Sequence, residues 1–103
     1  MDAGSAGGNV SVACKMNASP LCIVTTYVGA VAAVTDAGSM RATCVSGGGT
    51  VVVSCPTTDL IGCCTTKDSI LGTGENCNYI GTGTAASEQS FCTSIAGTWT
   101  TTP

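Results

Sequence analysis

The sequence predicts a small disulfide-rich α+β domain, with a short antiparallel sheet and two short helices. Three observations point there. The chain of 103 residues holds eight cysteines and no histidine. It holds one Phe, one Trp and two Tyr, so large side chains that could fill a core are scarce. Its β-branched runs are interrupted twice by stretches with helical spacing and a glycine stop.

Residues 1–9 are mostly Gly, Ala and Ser without periodicity, and are expected to be a flexible N-terminal leader. Residues 10–103 are expected to form one domain. Residues 10–28 read as extended, with "CIVTTYV" rich in β-branched and aromatic residues. Asp36 is a cap for a first helix, on which Ala37, Met40 and Cys44 share one face. Gly47, Gly48 and Gly49 end it. "GTVVVSC" follows as a strand, with Val51, Val53 and Cys55 predicted on one side and Pro56 as its breaker. "LIGCCTTK" (60–67) is another strand, "DSILGTGEN" reads as turn and "CNYIG" as extended. Thr84 caps a second helix, with Phe91 and Ile95 spaced i, i+4 and Gly97 as its stop. "TWTTTP" closes as a strand, with Thr98, Thr100 and Thr102 on one face and Trp99 inward on the other.

Aligned on Cys44 and Cys92, the two helical stretches match at six of sixteen positions: Ala37/Ala85, Ser39/Ser87, Cys44/Cys92, Ser46/Ser94, Gly49/Gly97 and Thr50/Thr98. Val51 then aligns with Trp99, and "YVG" (27–29) mirrors "YIG" (79–81). Chance matching among common small residues competes with an internal duplication. The shared order of elements favours duplication, with pseudo-repeats at about 14–56 and 63–103. Each helix cysteine would tie its helix to the sheet.

Cys14, Cys22, Cys44, Cys55, Cys63, Cys64, Cys77 and Cys92 are read as disulfide partners in an oxidising compartment. A zinc site would want close C-x2-C pairs, which are absent, and usually His. Neighbours in a strand point oppositely, so Cys63 and Cys64 should bond to different partners. The remaining pairing is open. Net charge is −3 with only Lys15, Arg41 and Lys67 basic, which argues against a nucleic-acid or anionic-membrane partner. The longest apolar stretch, 21–34, is too short to span a bilayer. The opening "MDAGSAGGNVS" lacks the pattern of a secretory signal, so a leader removed before maturity is expected.

No catalytic constellation emerges. There is no His for a hydrolase base, no C-x-x-C and no phosphate loop. Lys15 or Lys67 would have to serve a Ser–Lys dyad, and Asp59, Asp68, Glu75 and Glu88 are the material for a carboxylate pair. Each reads more simply as a turn or surface charge. The expectation is a non-enzyme without cofactor or metal. Asn9 ("NVS") and Asn17 ("NAS") fit the N-glycosylation pattern.

The elements "CPTTDLIGCCT" (55–65), "NYIG" (78–81) and "CTSIAGTWT" (92–100) resemble small cysteine-rich secreted proteins and lipoproteins of the bacterial envelope, notably myxobacterial ones. Those carry a CPT-x-x-L-[VI]-G-x-C-T element and end in C-x-x-x-G-G-T-W; here Ala96 replaces the first glycine. The resemblance implies export to the cell surface or beyond, and no activity. Length, eight cysteines and low charge also resemble hydrophobins, but the cysteine order here has one doublet where theirs has two. The expected role is a structural or interaction protein of the cell surface. Its partner would be itself, as a homo-oligomer or polymer forming a fibre or layer, or another surface protein. Alternatives are a small secreted effector or inhibitor of a soluble protein, and a surface-active or ice-binding protein.

Overall fold

The computed structural model describes residues 9–68, 72–81 and 83–103. The expected leader, apart from Asn9, falls outside them. Six strands form one antiparallel sheet: β1 Val10–Met16, β2 Leu21–Tyr27, β3 Gly49–Val52, β4 Leu60–Asp68, β5 Gly72–Tyr79 and β6 Thr98–Thr100. Their spatial order is β3-β1-β2-β5-β4-β6. Among the described residues there are three helices: α1 Gly29–Val34, α2 Ala37–Ser46 and α3 Ala85–Ser94.

The chain is an α+β, disulfide-rich domain, with one helix more than the sequence predicts. The extra one, α1 "GAVAAV", has no cap side chain and no polar face to give it a period. Two further expectations are corrected. Of the segment read as a turn at 68–76, residues 69–71 lie outside the described residues, Asp68 ends β4, and Gly72–Asn76 are strand, paired with Ile23–Tyr27 of β2. Gly72 can do so because its φ is +136° and a Cβ there would meet the Thr26 carbonyl oxygen. The third strand stops at Val52 rather than running to Cys55. Val53 is fully exposed whereas Cys55 is buried, since the chain bends at 53–54 to carry Cys55 to the other side of the sheet. On α3, Phe91 and Ile95 do not face the core; they are 62% and 45% exposed, and Cys92 is the buried residue.

The register organises the molecule. Cα partners run in one rank across all six strands: Val51, Cys14, Ile23, Asn76, Cys64 and Trp99. Directly opposed residues share a face, so these six side chains point the same way. Cys14 bonds to Cys44 of α2, and Cys64 bonds to Cys92 of α3, which places both helices over that face. The next rank is Thr50, Lys15, Cys22, Cys77, Cys63 and Thr100, pointing to the opposite face. There Cys22 bonds to Cys55, and Cys63 to Cys77 directly across β4 and β5. Cys63 and Cys64 thus serve opposite faces, as strand alternation requires.

The second half runs strand, strand, helix, strand, and the first half differs from it by the extra helix α1. In each, a disulfide joins the first strand to the ten-residue helix, and a glycine stands at the start of the last strand, as its first residue (Gly49) or just before it (Gly97). That glycine is needed in both places. A Cβ on Gly49 would meet the Cys14 and Cys44 sulfurs, and one on Gly97 would meet those of Cys64 and Cys92. The caps are as the sequence predicts. Asp36 Oδ1 accepts from the Gly38 N–H at 3.0 Å, and Thr84 with Ser87 completes a capping box.

Candidate functional site

All eight cysteines lie in the four disulfides, and none is free. The largest fully buried side chains are Cys22, Cys63, Cys77 and Cys92. Cystine therefore takes the place that large apolar side chains hold in an ordinary core. On the face away from the helices, Cys22, Cys55, Cys63, Cys77 and Tyr79 form the core cluster, with Val24, Val52 and Leu60 against it. The Tyr79 hydroxyl donates to the Pro56 carbonyl at 2.7 Å, and the Lys15 ammonium lies 5.4 Å from the Tyr79 ring centroid. These contacts pin the segment after Cys55 across the sheet.

Among the described residues the carboxylates lie on separate elements. Glu75 lies in a central strand, Asp59 in a turn with φ 60°, Asp68 at the end of β4 and Glu88 in the first turn of α3. Burial pushes the Glu75 carboxyl above its usual range, and it pushes the Tyr79 phenol up with help from the nearby Glu75 charge. The Lys15 ammonium donates to the Met16 carbonyl at 3.0 Å. The side-chain ligand atoms of Cys63, Glu75 and Cys77 lie within 4.8 Å of one another. Two of the three are bonded together as cystine, so that cluster offers one carboxylate and no thiolate.

Among the described residues, a cleft and the two sheet edges are surfaces open to partners. Beneath α2 lies a cleft of about 410 Å³, with Val12, Ile23, Thr25 and Tyr27 on the sheet side and Asp36, Ser39, Met40 and Thr43 on the helix side. Ile23 and Tyr27 give it an apolar floor, and the helix side gives it a hydroxyl rim. The other two are the sheet edges. β3, "GTVV", carries no charge and no proline, and residues 42–58 around it hold no charged side chain at all. β6, "TWT", is also uncharged, but β4 behind it continues into exposed Lys67 and Asp68.

Trp99 is half-buried beside Gly62, where a Cβ would strike its ring. It therefore shares the packing role and the rank that the alignment with Val51 predicts. Thr50 is at one edge of the sheet and Thr98 and Thr100 at the other, with four strands between them. They do not stand side by side as an array. Asn9 and Asn17 are both exposed, and Asn17 Oδ1 accepts from the Thr50 hydroxyl at 2.8 Å. Sequence reasoning singled out the cysteines and missed the cleft, whose α2 wall and β2 floor meet only in three dimensions. Among the described residues no helix is long and apolar enough to cross a membrane. No family description, no curated protein and no solved structure matches the chain.

Proposed function

We propose that this protein is a non-enzymatic, exported domain that serves at a cell surface as a structural or interaction component and associates with copies of itself. The observation that carries this reading is the sheet boundary. Both edge strands are free of charge, and the β3 edge lacks the lysine, proline or bulge with which sheets usually guard themselves. The four disulfides support export, because such bonds persist in oxidising space. The low charge supports association, because little repulsion separates copies. Fractionation of native material, with size-exclusion and electron microscopy, tests it. A protein in the envelope or medium with an assembled population is expected. A strictly monomeric protein at high concentration counts against assembly, and eight free thiols in native material count against export.

A second reading is an effector or inhibitor that acts on a soluble protein. The cleft beneath α2 favours it, since a floor of Ile23 and Tyr27 under a hydroxyl rim suits an apolar side chain of a partner. It is separated from the first by a monomeric state together with a stable heterologous complex. We also read the two halves as descendants of one duplicated unit. Their similar element order, α1 apart, and their strand-to-helix disulfides support that reading. A relative carrying a single unit would test it.

A further inference from the structure

We propose that two copies of this chain pair edge to edge through β3, antiparallel about a two-fold axis at Val51, to make one continuous sheet. This rests on the self-association reading and specifies its interface.

The hydrogen-bond phase of β3 carries the inference. The Asn17 N–H donates to the Gly48 carbonyl at 3.0 Å, in the same register that pairs Met16 with Gly49 and Ala13 with Val52. Hydrogen-bonded pairs alternate along an antiparallel ladder. Lys15/Thr50 and Ala13/Val52 are therefore bonded pairs, and Gly49 and Val51 turn their N–H and C=O groups outward. A second β3 that meets this edge with Val51 opposite Val51 puts those two residues in a bonded pair, since both present outward groups. The same register places Thr50 opposite Val52 and brings Val53, the residue just past the end of β3 where the chain bends, toward Gly49. Val53 is fully exposed in the single chain. Gly49 has no side chain, and the Cys14–Cys44 disulfide occupies the space beside it. A bare valine thus faces a glycine backed by sulfur, on both sides of the axis.

The surroundings agree. Val45 on α2 is 61% exposed near the same end of the molecule, and residues 42–58 bring no charge to the contact. Three charges stand behind the edge rather than on it: Arg41 and Glu75 line the recess beside Val51–Val53, and Lys15, opposite Thr50 on β1, donates to the Met16 carbonyl. The β6 edge is a poorer site. It has three residues, and exposed Lys67 and Asp68 lie along the free side of β4 beyond it. A second copy fits β3 better than an arbitrary strand, because the edge is complementary to itself in hydrogen-bond phase, in side-chain size and in lack of charge.

The test is sedimentation velocity from micromolar to millimolar protein, on the disulfide-intact chain, with Val51→Lys, Val51→Glu, Val53→Asp and Thr98→Lys variants. The wild type should form a dimer of twice the 10.0 kDa chain mass. Val51→Lys alone and Val51→Glu alone should each raise the dissociation constant by at least about tenfold, because like charges would face across the axis. Mixing the two should restore a one-to-one dimer, which only a two-fold register with residue 51 opposite itself allows. Val53 is fully exposed, so Val53→Asp keeps the question open to decision if the changes at 51 misfold. It should weaken the dimer while Thr98→Lys does not. An assembly untouched by changes at 51 and 53, or lost in Thr98→Lys, overturns the β3 interface and leaves self-association standing. A 10.0 kDa species at every concentration overturns both.

Discussion

Ala96 sits at φ 61°, between the end of α3 and Gly97, in the left-handed region that suits glycine. Glycine adopts this conformation without the Cβ penalty that alanine carries. Ala96→Gly should stabilise the protein by about 0.5–1 kcal/mol, measured by urea unfolding with disulfides intact. Gly97 and Gly49 behave oppositely. Alanine at either would push into a strand-to-helix disulfide, and each change should cost about 1–3 kcal/mol. Similar losses at the two sites are expected, because the two glycines meet the same groups. Glu75 gives a pH signature. Its carboxyl is raised above 4.5 by burial, so the folded chain holds that proton more tightly than the unfolded chain does. The stability it contributes is full below the ordinary carboxylate range and is lost as pH rises through the raised value. Glu75→Gln should therefore raise the melting temperature at neutral pH and leave it unchanged at strongly acid pH, read by circular dichroism.

At the scale of elements, the helices are tethered more than packed. Each of α2 and α3 has ten residues and a single buried residue, its cysteine. Helices this short are marginal without tertiary support. The double change Cys14→Ser, Cys44→Ser should cost about 3–4 kcal/mol by the loop-closure argument. It should also remove hydrogen-exchange protection from Ala37–Ser46 first, with the β2·β5 centre of the sheet protected longest. Exchange lost at the same rate in both places would contradict the tether. Legibility in the sequence follows the same physics. Caps and glycine stops are local signals, so α2 and α3 were readable from Asp36, Thr84, Gly47 and Gly97. Only the end of β5, in "CNYIG", was readable; its start was not, because "GTGEN" looks like a turn until β2 and β4 pair with it on both sides. The i, i+4 spacing of Phe91 and Ile95 does not tell which face of α3 meets the sheet; the Cys64–Cys92 link does, and it leaves both side chains exposed.

For the whole molecule, composition was the most legible level. Few large side chains and many cysteines implied a cystine-held core, and the four largest fully buried side chains are half-cystines. What composition could not give was how the two faces divide the sulfurs. That division follows from rank: Cys14 and Cys64 fall in one rank and Cys22, Cys63 and Cys77 in the next. The cleft under α2 and the hydrogen-bond phase of β3 were likewise invisible, since both depend on pairing between segments distant in sequence. Export, the helix tethers and the shape of the β3 edge all rest on the disulfide pattern. Disulfide mapping of native protein, by proteolysis and electron-transfer fragmentation, tests it most directly. The expected result is Cys14–Cys44, Cys22–Cys55, Cys63–Cys77 and Cys64–Cys92 with no free thiol. Free thiols, or Cys44 and Cys92 bonded anywhere but to Cys14 and Cys64, would contradict it.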